Sequence, residues 1–315
     1  MLQVFKALAD PTRLRLLALL THGELSVQDI TTALDMGQSR ISRHLKILFQ
    51  AELISQQKQG TWSYYRLHVG QELFARIWPL LREKFDHDPL YREDASNLVR
   101  LLESRRQQSR EFFDQHARRW DELSSNLLPT SDYLTELRRR IGSPTSLLEI
   151  GVGTGALLQE LAGDISRLIG IDQSAAMLEE ARSRLEKAGI RHADLRLGDM
   201  ENLLLGDIQV DTIVLNMVLH HAEQPLLVLK KMVQALRPGG MLVIADYLEH
   251  KHDWVRQALA DVWLGFTTDT LLAWLDEVGL QQLEAEVTAQ DSKKQSVVLV
   301  SGVRPETTVE TKGEE

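Results

Sequence analysis

A few short stretches carry side chains able to do chemistry. In LLEIGVGTGALLQ, residues 147–159, Glu149 precedes Gly151, Gly153 and Gly155. An acid followed by alternate glycines lets backbone close on a ligand and turns a helix N-terminus toward negative charge. Asp172 lies 21 residues beyond Gly151, where a carboxylate can accept both hydroxyls of a ribose. Asp199 and Met200, in GDM, stand where an exocyclic amine and an adenine face could be met. Asn216 opens NMVLHH, whose His220 and His221 are candidates for a general base, or for one core and one rim histidine. Far upstream, GQSRISRHL sets Gln38, Ser39, Arg40, Arg43 and His44 close together, a set suited to base edges and phosphates.

The elements that must position these residues differ between the two ends of the chain. Around the glycines, SLLEIGVG, RLIGIDQS, ADLRLGDM, VDTIVLNMVLHH, GGMLVIADY and QSVVLVSGVR read as strands, separated by helical patterns such as SAAMLEEARSRLEKAG and PLLVLKKMVQALRPGG. This alternation predicts an α/β, Rossmann-like, doubly wound parallel sheet, with the acids and glycines at the C-terminal strand ends where such sheets bind ligands. The glycines alone leave a dinucleotide open, because the third glycine of that fingerprint would fall at Ala156, a substitution it sometimes allows.

At the N-terminal end, Asp10 is placed as an N-cap before Pro11, and Ser26 and Asp29 are spaced as a capping box. Gly37 is expected to end that second helix, and the next begins near Ser39. Ile41, Leu45 and Leu48 then face a core while Arg40, Arg43 and His44 project outward. LISQQKQGTWSYYRLH alternates and turns at Gln59-Gly60, a β-hairpin with Lys58 near its tip and Arg66 in reach of phosphates. The order predicts an α+β winged helix-turn-helix; a solvated basic face on a protein-binding domain is the alternative. The domains are read as a winged helix over 1–85, a helical connector over 86–110, the Rossmann-like domain over 111–305 and a polar, disordered tail over 306–315.

Of 315 residues, 43% are hydrophobic and 26% charged, an ordinary globular balance. No apolar run suits a membrane span and no signal peptide is evident, so a cytoplasmic protein is expected. The complete lack of cysteine excludes disulfides, thiolate nucleophiles and thiolate metal sites. His250, His252 and Asp253 lack a fourth ligand at recognisable spacing, so a solvated loop is expected there and no metal site anywhere. The net charge of −9 is unevenly spread: residues 1–85 sum to about +4 and the remainder to about −13. Only the first part suits a phosphate backbone.

LADPTRLRLLALL, ELSVQDITTAL, QSRISRHLKILFQAELI and GTWSYYRL resemble the ArsR family of dimeric bacterial repressors, over about residues 3 to 70. The resemblance implies a homodimer on a pseudo-palindromic double-stranded operator. Where metal-sensing members read ELCVCDL this chain reads ELSVQDI, so Ser26 and Gln28 replace the arsenic-binding thiolates. From about 112 to 305 the chain resembles class I S-adenosylmethionine-dependent methyltransferases. That resemblance implies a cofactor pocket lined by Glu149, Gly151, Gly153, Gly155, Asp172, Gln173, Met177, Asp199, Met200 and Asn216. FFDQHARRW, with Phe113, resembles the segment that closes over the cofactor in such enzymes, although ordinary packing explains it equally. Together the halves resemble adenosylhomocysteine-responsive ArsR-type regulators (SahR-like) of methionine and adenosylmethionine cycle genes. Two expectations stand: a repressor controlled by S-adenosylhomocysteine or S-adenosylmethionine, or a working small-molecule methyltransferase with an autoregulatory DNA-binding domain.

Overall fold

The computed structural model describes all residues except 60–61, 128–129, 131, 164, 207, 289–293 and 307–315. It divides into two units, Met1–Gln108 and Ser109–Glu315. In the first, α1 (Leu2–Leu8) precedes α2 (Pro11–Leu19), which Asp10 caps by accepting the Arg13 N–H at 3.0 Å. β1 (Leu25–Ser26) leads into α3 (Val27–Leu34) through a complete capping box. The Ser26 hydroxyl accepts the Asp29 N–H at 3.1 Å, and the Asp29 carboxylate accepts the Ser26 N–H at 2.9 Å. Ser26→Ala is expected to cost about 1 kcal/mol, read as a lower urea midpoint of the full chain; an unchanged midpoint would contradict it.

The end of α3 differs from expectation. Asp35, not Gly37, takes the left-handed conformation (φ 51°), since a short polar side chain tolerates that region. Gly37 is instead the N-cap of α4 (Gln38–Gln50), whose Ile41, Leu45 and Leu48 are completely buried. β2 (Ile54–Gln59) and β3 (Trp62–Leu67) complete a three-stranded sheet in the order β1-β3-β2. Gly60, in the expected hairpin turn, lies outside the described residues. α5 (Glu72–His87) ends at Asp88, and Pro89 starts α6 (Pro89–His116). The stretch read as a connector is therefore helical on both sides of Asp88, and as far as Gln108 it groups with the first unit, where Leu98 and Leu102 enter the core.

In the second unit, α7 (Trp120–Leu127) and α8 (Leu134–Ile141) precede the sheet. Its elements are β4 (Ser146–Ile150), α9 (Ala156–Leu161), β5 (Arg167–Asp172), α10 (Ala175–Lys187), β6 (Ala193–Leu197) and β7 (Val210–Asn216). Then follow α11 (Pro225–Ala235), β8 (Leu236–Tyr247), α12 (Val255–Ala258), α13 (Thr268–Glu277), β9 (Gln281–Val287) and β10 (Val297–Val303). The seven strands order as β6-β5-β4-β7-β8-β10-β9, Rossmann-like as expected. The sheet is mixed rather than wholly parallel, because β10 runs antiparallel to both β8 and β9. β9 was not expected, although Leu283, Ala285 and Val287 alternate with Gln282, Glu284 and Glu286; the strand is a mostly exposed, charged edge. After β4 the chain builds β5 and β6 on one side, then returns to β7 on the other, so the switch point lies between β4 and β7. Leu147, Leu158, Leu168, Val214, Val243 and Leu299 belong to the core beneath it. No helix among the described residues is long and apolar enough to cross a membrane.

Candidate functional site

Beyond the C-terminal ends of β4, β5 and β7 lie two cavities. The narrower is lined by Phe113, Trp120, Gly151, Gly153, Asp172, Gln173, Met177, Met200, Met217 and His221, among others. The wider shares Trp120, Gly151, Gly153, Met217 and His221 and adds Glu149, Tyr133, Asn216, His220, Tyr247 and Asp261. Of the residues expected at a cofactor, Phe113, Asp172, Gln173, Met177 and Met200 thus border the first, Glu149 and Asn216 the second, and Gly151 and Gly153 both. Gly155 and Asp199 line neither. A Cβ on Gly155 would lie 3.0 Å from the Ala181 Cβ, so that glycine serves the packing of α9 on α10. The Asp199 carboxylate accepts the Glu201 N–H at 2.9 Å and the Asn202 amide at 3.0 Å, which occupies it in its own turn.

The glycine turn is held by the acid at the end of β5. Asp172 accepts the Gly153 N–H on one carboxylate oxygen at 2.8 Å and the Ser174 N–H on the other at 2.9 Å. Burial pushes its pKa up; these backbone donors oppose the shift and Asp114 adds to it. Glu149 is pushed well above the ordinary carboxylate range by burial and, secondarily, by Asp172, and its Oε2 has no hydrogen-bond partner among the described residues. The pocket therefore contains an acid awaiting a donor or a positive charge. Asn216 accepts the Tyr133 hydroxyl at 3.0 Å, which leaves its amide N–H groups for the cavity.

Met217, Tyr133, Tyr247 and Asp261 line the cavities without having been singled out by the sequence. Phe113 and Trp120 meet edge to face, with ring centroids 5.1 Å apart, and both packing and cavity lining are realised in one segment. Their helical spacing was the available signal. Met217 carries a positive φ of 52°, which no pattern in NMVLHH announces. His220 is buried; its Nδ1 lies 2.7 Å from the Asp246 carboxylate, and its Nε2 lies 3.6 Å from Asp261. Burial opposes its protonation, but the two carboxylates more than offset this and raise its pKa. His221 is driven well below its usual value by burial and by His220. The expected solvated loop holds for His252 and Asp253, which are exposed, but not for His250, which is buried and pushed down to about 4, chiefly by that burial.

In the first unit, Gln38, Ser39, Arg40 and Arg43 are exposed on α4. His44 is half-buried, its Nδ1 3.7 Å from Asp10; burial depresses its pKa, Asp10 opposes, and Arg13, Arg40 and Arg43 add to the depression. It thus stands beside the α2 cap rather than projecting freely. Lys58 is exposed and Arg66 half-buried. Lys58 pairs with Ser63 and Arg66 with Ser55, an odd offset that puts the two cations on opposite faces of the hairpin.

Residues 10–56 match the family model for bacterial regulatory proteins of the arsR family, and residues 148–244 match a methyltransferase domain. The arsenical resistance operon repressor of Escherichia coli K12 is 52% identical over 89 residues, spanning 26% of this chain and 76% of that protein. The arsenite methyltransferase of Halobacterium salinarum is 29% identical over 148 residues, 44% of this chain but only 38% of that protein. Among solved structures, the N-methyltransferase NodS of Bradyrhizobium japonicum WM9, in complex with S-adenosyl-l-homocysteine, is similar with a TM-score of 0.53. At 24% identity over 63% of this chain and 99% of that one, it speaks for the fold.

Proposed function

Since the chain belongs to the arsR family of bacterial regulatory proteins through its N-terminal domain, and joins to it a class I methyltransferase domain, we propose that it is a ligand-controlled transcriptional repressor. S-adenosylhomocysteine or S-adenosylmethionine, bound in the second unit, sets its hold on DNA. The observation that carries this reading is the cavity at the strand ends, with Asp172, Gly151 and Gly153 at its wall, on a chain that also exposes Arg40 and Arg43 on a recognition helix. Ligand-free methyltransferase chemistry gives no reason for that helix, and a simple repressor has no use for that pocket.

In this reading a cytoplasmic homodimer sets its two α4 helices in successive major grooves of a pseudo-palindrome. Gln38, Ser39, Arg40 and Arg43 meet bases or phosphates, His44 orients the helix through Asp10, and Lys58 and Arg66 approach the backbone. In the second unit Asp172 receives the ribose, Met200 the adenine face, and Glu149 the ammonium of the amino acid moiety. The regulated genes are those of the methionine and adenosylmethionine cycle, and adenosylhomocysteine releases the repressor. The absence of cysteine supports a non-arsenic signal. A working methyltransferase is favoured by one feature, His220 on the cavity wall with Asp246 behind it, which has the form of a general base with its orienting carboxylate.

Fluorescence anisotropy of the DNA upstream of this protein's own gene, at fixed salt, tests the proposal. One of the two ligands at saturation is expected to shift the midpoint about 5- to 150-fold, the range of a coupling of about 1–3 kcal/mol. Asp172→Ala is expected to bind DNA and ignore the ligand. Equal binding with and without both ligands, together with a methylated product from cell extract, would replace the repressor reading by the enzyme.

A further inference from the structure

One cluster on the wall of the wider cavity is explained neither by cofactor binding nor by packing. His220 and His221 arrive on the turn after β7, and Asp261 on the loop after α12. One ligand atom from each of the three lies within 4.8 Å of the others. Asp261 Oδ1 is 3.6 Å from His220 Nε2 and 3.6 Å from His221 Nδ1. The Asp261 side chain is 0% exposed, and neither of its carboxylate oxygens has a hydrogen-bond partner among the described residues. A buried carboxylate without donors costs free energy unless something positive completes it. The neighbouring Arg256 directs a guanidinium N–H to the Val262 carbonyl, and attracts Asp261 through its charge without hydrogen bonding to it.

The outer arrangement points the same way. Asp246 accepts from His220 Nδ1 at 2.7 Å, and its own oxygens also accept the backbone N–H groups of His220 and Tyr247, at 3.2 and 2.7 Å. This sets Nδ1 as the donor and turns Nε2 toward Asp261, where an ion would take the place of a proton. A carboxylate behind a histidine is the usual support of a metal-bound imidazole. His221 Nδ1 lies 3.2 Å from the Ala260 carbonyl, so ligation through that atom exchanges a long hydrogen bond for the metal. Separations of 3.6 Å are slightly wider than tetrahedral ligands about 2.0–2.2 Å from an ion require, a difference that small side-chain rotations close.

We propose that His220, His221 and Asp261 bind one borderline divalent ion of the zinc class, with Asp246 orienting His220. Two imidazoles and a carboxylate suit such an ion better than calcium or magnesium, which take mainly oxygens. All three ligands line the wider cavity, so a remaining coordination position opens there, to water or to an oxygen of whatever occupies it. The expectation of no metal rested on linear spacing, and these ligands come from segments 40 residues apart. The proposal stands independently of the repressor reading.

The test is calorimetric titration of the chelator-dialysed full chain with zinc chloride. One equivalent is expected to bind the unaltered protein. Asp261→Asn and His221→Gln are each expected to weaken uptake at least tenfold, and Asp246→Asn about 10- to 100-fold. In the unaltered, histidine-labelled protein, cobalt(II) is expected to shift the imidazole proton resonances of His220 and His221 selectively, a readout independent of how the variants fold. No stoichiometric uptake, uptake unchanged in both ligand variants, or cobalt shifts at other histidines would overturn the site.

Discussion

Gly151→Ala is expected to destabilise the protein by about 2–5 kcal/mol, while Gly153→Ala costs only about 1–2 kcal/mol. Both glycines hold positive φ, 71° and 52°, so alanine at either meets the left-handed penalty. They differ in what a new Cβ would touch. At Gly151 it would lie 2.2 Å from Val218 Cγ2 and 2.7 Å from the Val218 Cβ, and at Gly153 nothing stands within 4 Å. A β-branched side chain cannot swing its Cβ away, so the clash must move the turn after β7. Urea unfolding of the full chain, followed by tryptophan fluorescence, measures the difference. Val218→Ala in the Gly151→Ala background is expected to recover part of the loss, since the 2.2 Å contact with Cγ2 disappears while the 2.7 Å contact with Cβ and the backbone strain stay. Equal costs at the two glycines would show that close approach at Gly151 is not the constraint.

A second large effect should appear as a slope against pH. Glu149 and Asp172 both have folded pKa values above their ordinary ones, mainly through burial. Between the unfolded and folded values the native chain holds protons that the unfolded chain has released, so stability falls as pH rises through that window. The loss begins above the ordinary carboxylate range and continues until the raised folded values are passed. One such proton contributes a slope of up to about 1.4 kcal/mol per pH unit. Glu149→Gln keeps the shape and removes the titration, so its stability from pH 5 to 9 should be flatter than that of the unaltered chain. On the proposed function, the same variant loses a carboxylate partner for the ligand ammonium, and affinity for S-adenosylhomocysteine should fall about 10- to 100-fold. The change thus stabilises the empty protein at high pH and weakens the complex. Parallel pH profiles for the two proteins would show that Glu149 does not titrate in this window.

Much of this molecule was legible along the chain because its signals are local. A cap needs its partner three residues away, so Asp10 with Pro11 and Ser26 with Asp29 announced their helices directly. Apolar periodicity likewise announced the buried face of α4 and the central strands, and the acids and glycines at strand ends marked where a ligand could enter. Features set by contacts between distant segments were not legible. Asp172 was assigned to a ribose, yet folding also makes it the fastener of the glycine turn through Gly153. His44 was read on an outward face, but the approach of α2 places it by Asp10. Lys58 and Arg66 shared one wing in the sequence and take opposite faces because strand pairing alternates sides. β9 carries only a weak signal, Leu283, Ala285 and Val287 alternating with polar residues, because an edge strand with an exposed surface buries little. The gathering of His220, His221, Asp246 and Asp261 depends on three separate segments converging at the strand ends. Which elements form, and which chemistry their ends can offer, is written in patterns a few residues long; which groups meet is set by the folded chain, since burial and Coulomb interactions depend on distances through space.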